Sequence, residues 1–136
     1  MEVKLKIAEG DESQVRVERM EMDDPNFESG TPHNARATFK NPKTAPFAYS
    51  GVIYLGKSLG DKVVSSPVKA FTVPAGGTLP VDFAVTMPTL SIVQDSYHVY
   101  LEVSQAGAVL ITFVSTEDVV VFVTPAIDIT TITWTT

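Results

Sequence analysis

The sequence predicts an all-β protein, an antiparallel β-sandwich of roughly seven to nine strands. Apolar residues recur at every second position in several short segments, which places them on one face of a half-buried strand. Proline and glycine separate these segments, as expected for strands joined by turns. The clearest alternating sets are Ala35, Ala37 and Phe39; Leu79, Val81, Phe83 and Val85; and Tyr97, Val99, Leu101 and Val103.

The first part of the chain predicts two strands and a loop. Residues 2–8 alternate apolar and charged side chains and form the first strand. Residues 15–22 form the second, but their apolar positions change parity midway, so we expect a β-bulge near Glu18 or Arg19. A helix is the alternative for this segment, because some of its apolar positions also fit a period of 3.6. Residues 23–33 are rich in turn-forming residues and predict a loop.

The middle of the chain predicts three strands of different character. Residues 34–40 alternate regularly and end at an Asn-Pro pair. Residues 47–55 are apolar on both parities, which is typical of a strand covered on both faces. Residues 63–73 contain Pro67, which has no N–H to donate, so this segment lies at a sheet edge or is broken in two.

The last strands complete one domain, because a chain of this length is sufficient for one hydrophobic core. We expect this domain to span residues 1–125 and an extended tail, or linker to a neighbour, to span residues 126–136. The tail is rich in β-branched residues. The remaining strands are predicted at residues 78–86, 96–104, 108–115 and 119–123, with a hairpin turn at 105–107.

Charge is distributed unevenly along the sequence. All 10 Lys and Arg lie at or before Lys69, together with 10 of the 16 acidic residues (10 − 10 = 0), so the later part carries the whole net charge of −6. A nucleic-acid-binding protein needs a basic surface that displaces counterions from phosphates. The later part has no base and the earlier part interleaves bases with acids, so we expect no nucleic-acid binding.

The composition also limits location and chemistry. The absence of Cys excludes disulfides and thiol nucleophiles. Residues 1–10 alternate charged and apolar side chains and lack the apolar core of a signal peptide. No apolar run is long enough to insert into a membrane. We expect an extracellular, cell-surface or virion protein without a signal peptide in this chain, because a virion protein released by lysis needs none.

Four stretches carry a family resemblance: residues 30–41 (GTPHNARATFKN), 51–56 (GVIYLG), 73–85 (VPAGGTLPVDFAV) and 97–103 (YHVYLEV). In this order they resemble bacterial immunoglobulin-like modules of the cell-adhesion-related (CARDB) and fibronectin-III-like kind. The chain departs from those modules at its end, where Pro125 and a Thr-rich tail replace an acidic, Asn-containing ending. The resemblance implies an immunoglobulin-like sandwich that serves spacing, display or binding rather than catalysis.

Candidate metal ligands are concentrated in the predicted loop at residues 23–33. Calcium requires six to eight oxygen ligands, and the spacing here does not match an EF-hand loop. Asp and Asn in such a loop more often cap their own backbone, so we expect no metal site. The candidates are Asp23, Asp24, Asn26 and Glu28; His33 and His98, the only histidines, are expected to be ordinary loop and surface residues.

No motif in the sequence indicates catalysis. No serine lies in a nucleophile elbow, no carboxylates are spaced as an acid/base pair, and no glycine loop is followed by a phosphate-binding helix. We therefore expect neither enzymatic activity nor a cofactor. Tyr54 and Tyr100 lie on the parity opposite Ile53 and Leu101, so we expect them to be exposed, as candidates for stacking on a carbohydrate.

The later strands predict the function. Between Val109 and Val123 apolar residues and Thr recur on both parities, and no base follows Lys69 to protect a strand edge. This pattern favours a structural or assembly module of a surface or phage particle that self-associates or contacts neighbouring domains. The alternative is an adhesion module that binds carbohydrate or a cell surface through residues 23–33 and 87–94. The candidate interface residues are Val109, Ile111, Phe113, Ile127, Ile129, Ile132 and Trp134.

Overall fold

A computed structural model of the chain describes residues 2–10, 16–22 and 26–123. Within these ranges it is all-β, with twelve strand segments in two mostly antiparallel sheets and no helix, so the predicted fold class is confirmed. The described residues accordingly contain no apolar helix of membrane-spanning length. The predicted tail, residues 126–136, lies outside the described residues. The strands are β1 (Glu2–Val3), β2 (Leu5–Gly10), β3 (Arg16–Glu21), β4 (Asn26–Glu28), β5 (Pro32–Lys40), β6 (Phe47–Gly56), β7 (Val64–Ser65), β8 (Lys69–Val73), β9 (Thr78–Thr86), β10 (Gln94–Gln105), β11 (Ala108–Ser115) and β12 (Val119–Phe122).

The first sheet has the order β1-β3-β5-β9. In the second sheet, β10 pairs with β6 on one side and with β11 and β12 on the other. The edges of β11 and β12 are covered by β2 and β4, and β7 and β8 both lie on β6. The expectation that strands at residues 109–123 have unprotected edges is therefore wrong, because early segments of the chain pair with them.

Two strands of the second sheet are interrupted. Pro67 separates β7 from β8, as predicted, and both halves pair with the same strand. The buried Ser66 bridges this gap: its amide donates to the carbonyl of Ile53 (2.7 Å) and its hydroxyl accepts from the amide of Ile53 (3.0 Å). The second interruption separates β11 from β12, which both pair with β10. Between the two paired stretches, the four residues 115–118 lie opposite only two residues of β10, His98 and Val99.

The second predicted strand is confirmed together with its irregularity. Strand β3 pairs with β5, and its register shifts between Val17 and Arg19, so Glu18 is the extra residue of a β-bulge. Met20 is buried after the shift, while Val17 is half-buried before it. The helical alternative for this segment is wrong, because pairing with β5 satisfies its backbone groups in a sheet.

The predicted loop at residues 23–33 is wrong in part. Asn26–Glu28 forms β4, which runs parallel to β12, and β5 begins at Pro32. The anchor of β4 is Phe27, which is buried and lies edge-on against the ring of His33 (centroids 4.5 Å apart). Turn-forming residues around Phe27 obscured a strand that is held by distant residues and not by its own alternation.

The core fills the space between the sheets, as in other sandwiches. The alternating sets of β5, β9 and β10 supply ten of the 22 buried core residues of the described chain, and Phe39, Val99 and Leu101 are fully buried. Strand β6 is covered on both faces from Gly51 to Gly56, as its composition predicts. The hairpin from β10 to β11 turns at Ala106 and Gly107, whose φ angles are both positive (53° and 82°), as a two-residue hairpin turn requires.

Asn41 joins the loops at one end of the sandwich. Its side chain is fully buried. The amide nitrogen Nδ2 donates to the carbonyls of Ala45 (2.7 Å) and Val73 (3.2 Å), and Oδ1 accepts from the amide of Lys43 (2.9 Å). One side chain thus fixes the loop between β5 and β6 and attaches it to the end of β8 in the other sheet.

Candidate interaction surfaces

The two tyrosines proposed as an exposed carbohydrate platform are buried. Tyr54 is 0% and Tyr100 5% exposed, and their rings stack with centroids 4.9 Å apart at 17°. Residues 57–63 cover them: the amide of Gly60 donates to the Tyr54 hydroxyl (3.1 Å), and the ammonium of Lys62 lies 5.2 Å from the Tyr54 ring. The side chains of Tyr54 and Tyr100 do point out of the sandwich, as their parity predicts, but the loop at residues 57–63 shields both from solvent. This burial raises the pKa of the Tyr100 hydroxyl. The prediction of exposure is wrong.

The covering loop is held by ion pairs with the later strands. Lys62 pairs with Glu102 (3.3 Å). The ammonium of Lys57 bonds the Asp95 carboxylate and lies 4.3 Å from the ring centroid of Tyr97. This hydrogen bond is the main cause that lowers the pKa of Asp95 below its ordinary value.

Pairing across the fold compensates the charge asymmetry of the sequence. Arg36 and Asp82 form a two-point ion pair on the outer face of the first sheet (2.7 and 3.3 Å). Asp118 pairs with the imidazole of His98 (2.6 Å), beside the interruption between β11 and β12. Four carboxylates of the later part therefore have a partner in the fold. Asp82, Asp95 and Glu102 pair with Arg36, Lys57 and Lys62 of the earlier part, and Asp118 pairs with His98. The later part of the chain therefore presents less free negative charge than its sequence suggests.

The predicted interface residues fall into three groups. Val109 is exposed (48%), as an interface residue should be. Ile111 and Phe113 are 0% and 6% exposed, and their assignment to an interface is wrong, because their parity faces the sandwich core. The others lie outside the described residues: Ile127, Ile129, Ile132 and Trp134.

The predicted calcium candidates are not assembled into a site in the part of the chain that the structure describes. Asn26 and Glu28 lie on β4, two residues apart, while Asp23 and Asp24 lie outside the described residues. Among the described residues no group of three or more His, Asp and Glu side chains is placed to hold a metal ion. His33 is half-buried, and its Nε2 lies 2.8 Å from the hydroxyl of Thr31.

An exposed apolar surface that sequence reasoning missed lies at the end of the sandwich where the described chain stops. We call Ile92, Val93 and Val123 the end patch. They are 55%, 79% and 40% exposed, and the amide of Val123 donates to the carbonyl of Val93 (2.9 Å). Ile92 and Val93 belong to a connection without alternation, so only the contact with Val123 identifies them as part of one surface.

A second candidate surface is the open side of the sandwich between β9 and β7. A groove of about 520 Å³ lies there between the two sheets. One wall is formed by the free edge of β9. The residues that line the groove are Val64, Ser65, Pro67, Ala84, Thr86, Met87, Pro88 and Thr89.

The other cavity of note is small and apolar. It holds about 20 Å³ among side chains that include Phe27, His33, Ile53 and Met87. That volume is sufficient for about one water molecule. It is a packing gap and offers no room for an organic ligand.

Solved structures show the same fold at low sequence identity. The C-terminal domain of Wzt matches with a TM-score of 0.55 and 10% identity, over 95% of this chain and 82% of that one. The CARDB domain of a Pyrococcus furiosus protein, solved in complex with di-metal ions, gives 0.50 and 12%, over 88% of each chain. A Listeria innocua β-glucosidase in complex with glucose gives 0.52 and 12%, over 90% of this chain and 17% of the enzyme.

These likenesses show the fold alone. No family model matches the sequence, and no curated protein resembles it. The predicted resemblance to CARDB modules is thus supported only at the level of the β-sandwich fold.

Proposed function

We propose that this chain is a non-catalytic structural module, related to the CARDB-like and fibronectin-III-like modules, of a surface or virion protein. In this proposal it mediates contacts with copies of itself or with neighbouring domains. The observation that carries the proposal is the end patch, where three apolar side chains lie exposed at the point where the described chain stops.

Physical chemistry supports a contact role for this surface. Single exposed apolar residues are common on soluble proteins, but contiguous ones are more typical of interaction surfaces. The end patch joins the connection before β10 to the residue after β12 through a backbone hydrogen bond from Val123 to Val93. Lys69 is the last base in the sequence, so the tail that follows the patch brings no positive charge to oppose an apolar contact.

Analytical ultracentrifugation of the full chain, over a range of concentrations, tests the proposal. We expect reversible self-association that Val93→Asp weakens, because the carboxylate must be desolvated in the contact. Val63→Asp is the matched control, since Val63 has a comparable apolar side chain, 44% exposed, outside the end patch. A strictly monomeric full chain at millimolar concentration would contradict the proposal, as would equal effects of the two substitutions.

Deletion of the residues after Pro125 tests the contribution of the tail. We expect weaker self-association, because Ile127, Ile129, Ile132 and Trp134 would be lost from the contact. An unchanged association constant would remove the tail from the proposed interface and leave the end patch alone.

A further inference from the structure

Residues 57–63 cover the outer face of the second sheet without burying their own side chains. All seven residues are exposed, and the apolar side chains of Leu59 and Val63 are 43% and 44% exposed. Beneath them, Tyr54 is 0% and Tyr100 5% exposed. The loop therefore shields two aromatic rings with its backbone and polar side chains, and burial of its own apolar groups contributes little to holding it there.

The contacts that hold the loop on this face are polar and lie at the surface. The ammonium of Lys62 pairs with Glu102 (3.3 Å), and these side chains are 42% and 20% exposed. The amide of Gly60 donates to the Tyr54 hydroxyl (3.1 Å). Exposed ion pairs contribute little to stability and weaken with salt. Segments with few buried apolar contacts open at a lower free energy than the core, so we expect this loop to open while the sandwich stays folded.

Lys62 indicates which chemical group this face binds. Its ammonium contacts the Glu102 carboxylate and lies 5.2 Å from the centroid of the Tyr54 ring, so an aromatic face and a carboxylate share one cation. The ring of Tyr100 stacks on that of Tyr54, with centroids 4.9 Å apart. Lys62 thus occupies an ammonium site that is formed by side chains of β6 and β10.

The surroundings of this ammonium site are acidic. Burial is the main cause that raises the pKa of the Tyr100 hydroxyl, and the negative charges of Asp118 and Asp61 are among the further causes. Two carboxylates besides Glu102 therefore act on the tyrosine pair. No Lys or Arg follows Lys69, and the residues after it carry the whole net charge of −6. A basic segment is the complementary partner, since opposite potentials steer association and fix the register of a contact.

We propose that Tyr54, Tyr100 and Glu102 form a concealed docking site for a lysine-rich segment of a partner protein. The loop at residues 57–63 covers the site until that segment displaces it, and a partner lysine then takes the place of Lys62. The loop acts as an intramolecular competitor, which lowers the apparent affinity for the partner by the fraction of chains that are closed. The site is separate from the end patch, so this inference goes beyond the proposed self-association and does not depend on it.

Titration of the full chain with an acetylated and amidated oligolysine peptide tests the site. Lys62→Gln removes the competing ammonium and keeps a polar side chain, so we expect this variant to bind the peptide roughly fivefold more tightly than the parent chain. Lys43→Gln is the matched control, because it makes the same change of charge at an exposed lysine between β5 and β6. Isothermal titration calorimetry at low salt compares the parent chain with both variants.

A second substitution tests the acceptor side of the site. Glu102→Gln, introduced into the Lys62→Gln chain, should abolish the gain in affinity, because the peptide loses the carboxylate that binds its ammonium. Glu28→Gln in the same chain is the control of equal charge, since Glu28 is exposed and lies on β4. Equal dissociation constants for Lys62→Gln and Lys43→Gln would overturn the inference, as would equal effects of Glu102→Gln and Glu28→Gln. Self-association is measured separately by ultracentrifugation, so neither result decides the proposed function.

Nuclear magnetic resonance locates the bound peptide on the parent chain. The amide of Gly60 donates to the Tyr54 hydroxyl while the loop is closed, so its resonance should shift as the peptide displaces the loop. Peptide binding that leaves the Gly60 resonance unchanged would place the peptide elsewhere and overturn the proposal. Binding of maltohexaose in place of oligolysine, with a shift at Gly60, would assign the opened face to carbohydrate and would also overturn it.

Discussion

Replacement of Asn41 by alanine should destabilise the fold by about 3 kcal/mol. The side chain makes three hydrogen bonds, to Ala45, Val73 and Lys43, and is fully buried. A typical intramolecular hydrogen bond contributes ~1 kcal/mol net, and the cost rises where a buried partner such as the Val73 carbonyl is left unsatisfied. The three bonds therefore account for about 3 kcal/mol, before any loss of packing.

Equilibrium unfolding in urea measures this effect. With ~2.1 cal/mol/K per residue, a chain of 136 residues unfolds with an entropy of ~0.29 kcal/mol/K, so about 3 kcal/mol lowers the Tm by about 10 °C. The m-value should not change, because the folded and unfolded states expose the same surface as before. Gln94→Ala is the matched control, since Gln94 carries an exposed amide side chain, and its effect should stay within ~0.5 kcal/mol.

A loss of less than ~1 kcal/mol for Asn41→Ala would refute the reasoning. It would mean that water replaces the amide at all three partners, and that the loop between β5 and β6 does not depend on this side chain. A loss equal to that of the exposed control would lead to the same conclusion.

Three further effects are expected. Ser66→Ala should lower the free energy of unfolding by about 1–3 kcal/mol in urea titrations, because the Ile53 amide loses its hydroxyl partner, and a neutral result would contradict that role. Asp82→Asn should destabilise the fold at neutral pH and lose this effect in acid: the Arg36 guanidinium holds the pKa of Asp82 below its ordinary value, so the stabilisation is present above that ordinary value and is lost as the pH falls through the lower folded-state pKa; an equal effect at pH 2 and pH 7 would exclude this cause. Gly56→Ala should reduce the Tm, because a Cβ there would overlap the carbonyl oxygen of Asp61; an unchanged Tm would mean that residues 57–61 shift freely.

Local sequence patterns were sufficient to predict most strands. The alternating sets of β5, β9 and β10 are buried as their parity requires, and the parity change in β3 located its bulge within one residue. Pro67 was sufficient to predict the break between β7 and β8, because a missing donor is a local property. These features depend only on residues that are close in sequence.

Properties that depend on distant residues were not predictable in this way. Tyr54 and Tyr100 have the outward parity that the sequence gives them, yet a loop that no pattern identifies covers both. Strand β4 exists because β12 lies beside it. Ile92 and Val93 become one surface with Val123 only through the hydrogen bond between the connection before β10 and the residue after β12.

The sequence by itself determined the fold class, the positions of the main strands and the absence of bases after Lys69, because alternation, turn chemistry and composition are local. Only the tertiary structure decided which strand edges are open, which outward side chains are covered and how Lys57, Lys62 and Arg36 meet the late carboxylates. The physical reason is that the sheet pairs residues far apart in the chain. Periodicity gives the face of a side chain, but it does not give the neighbour that lies on that face.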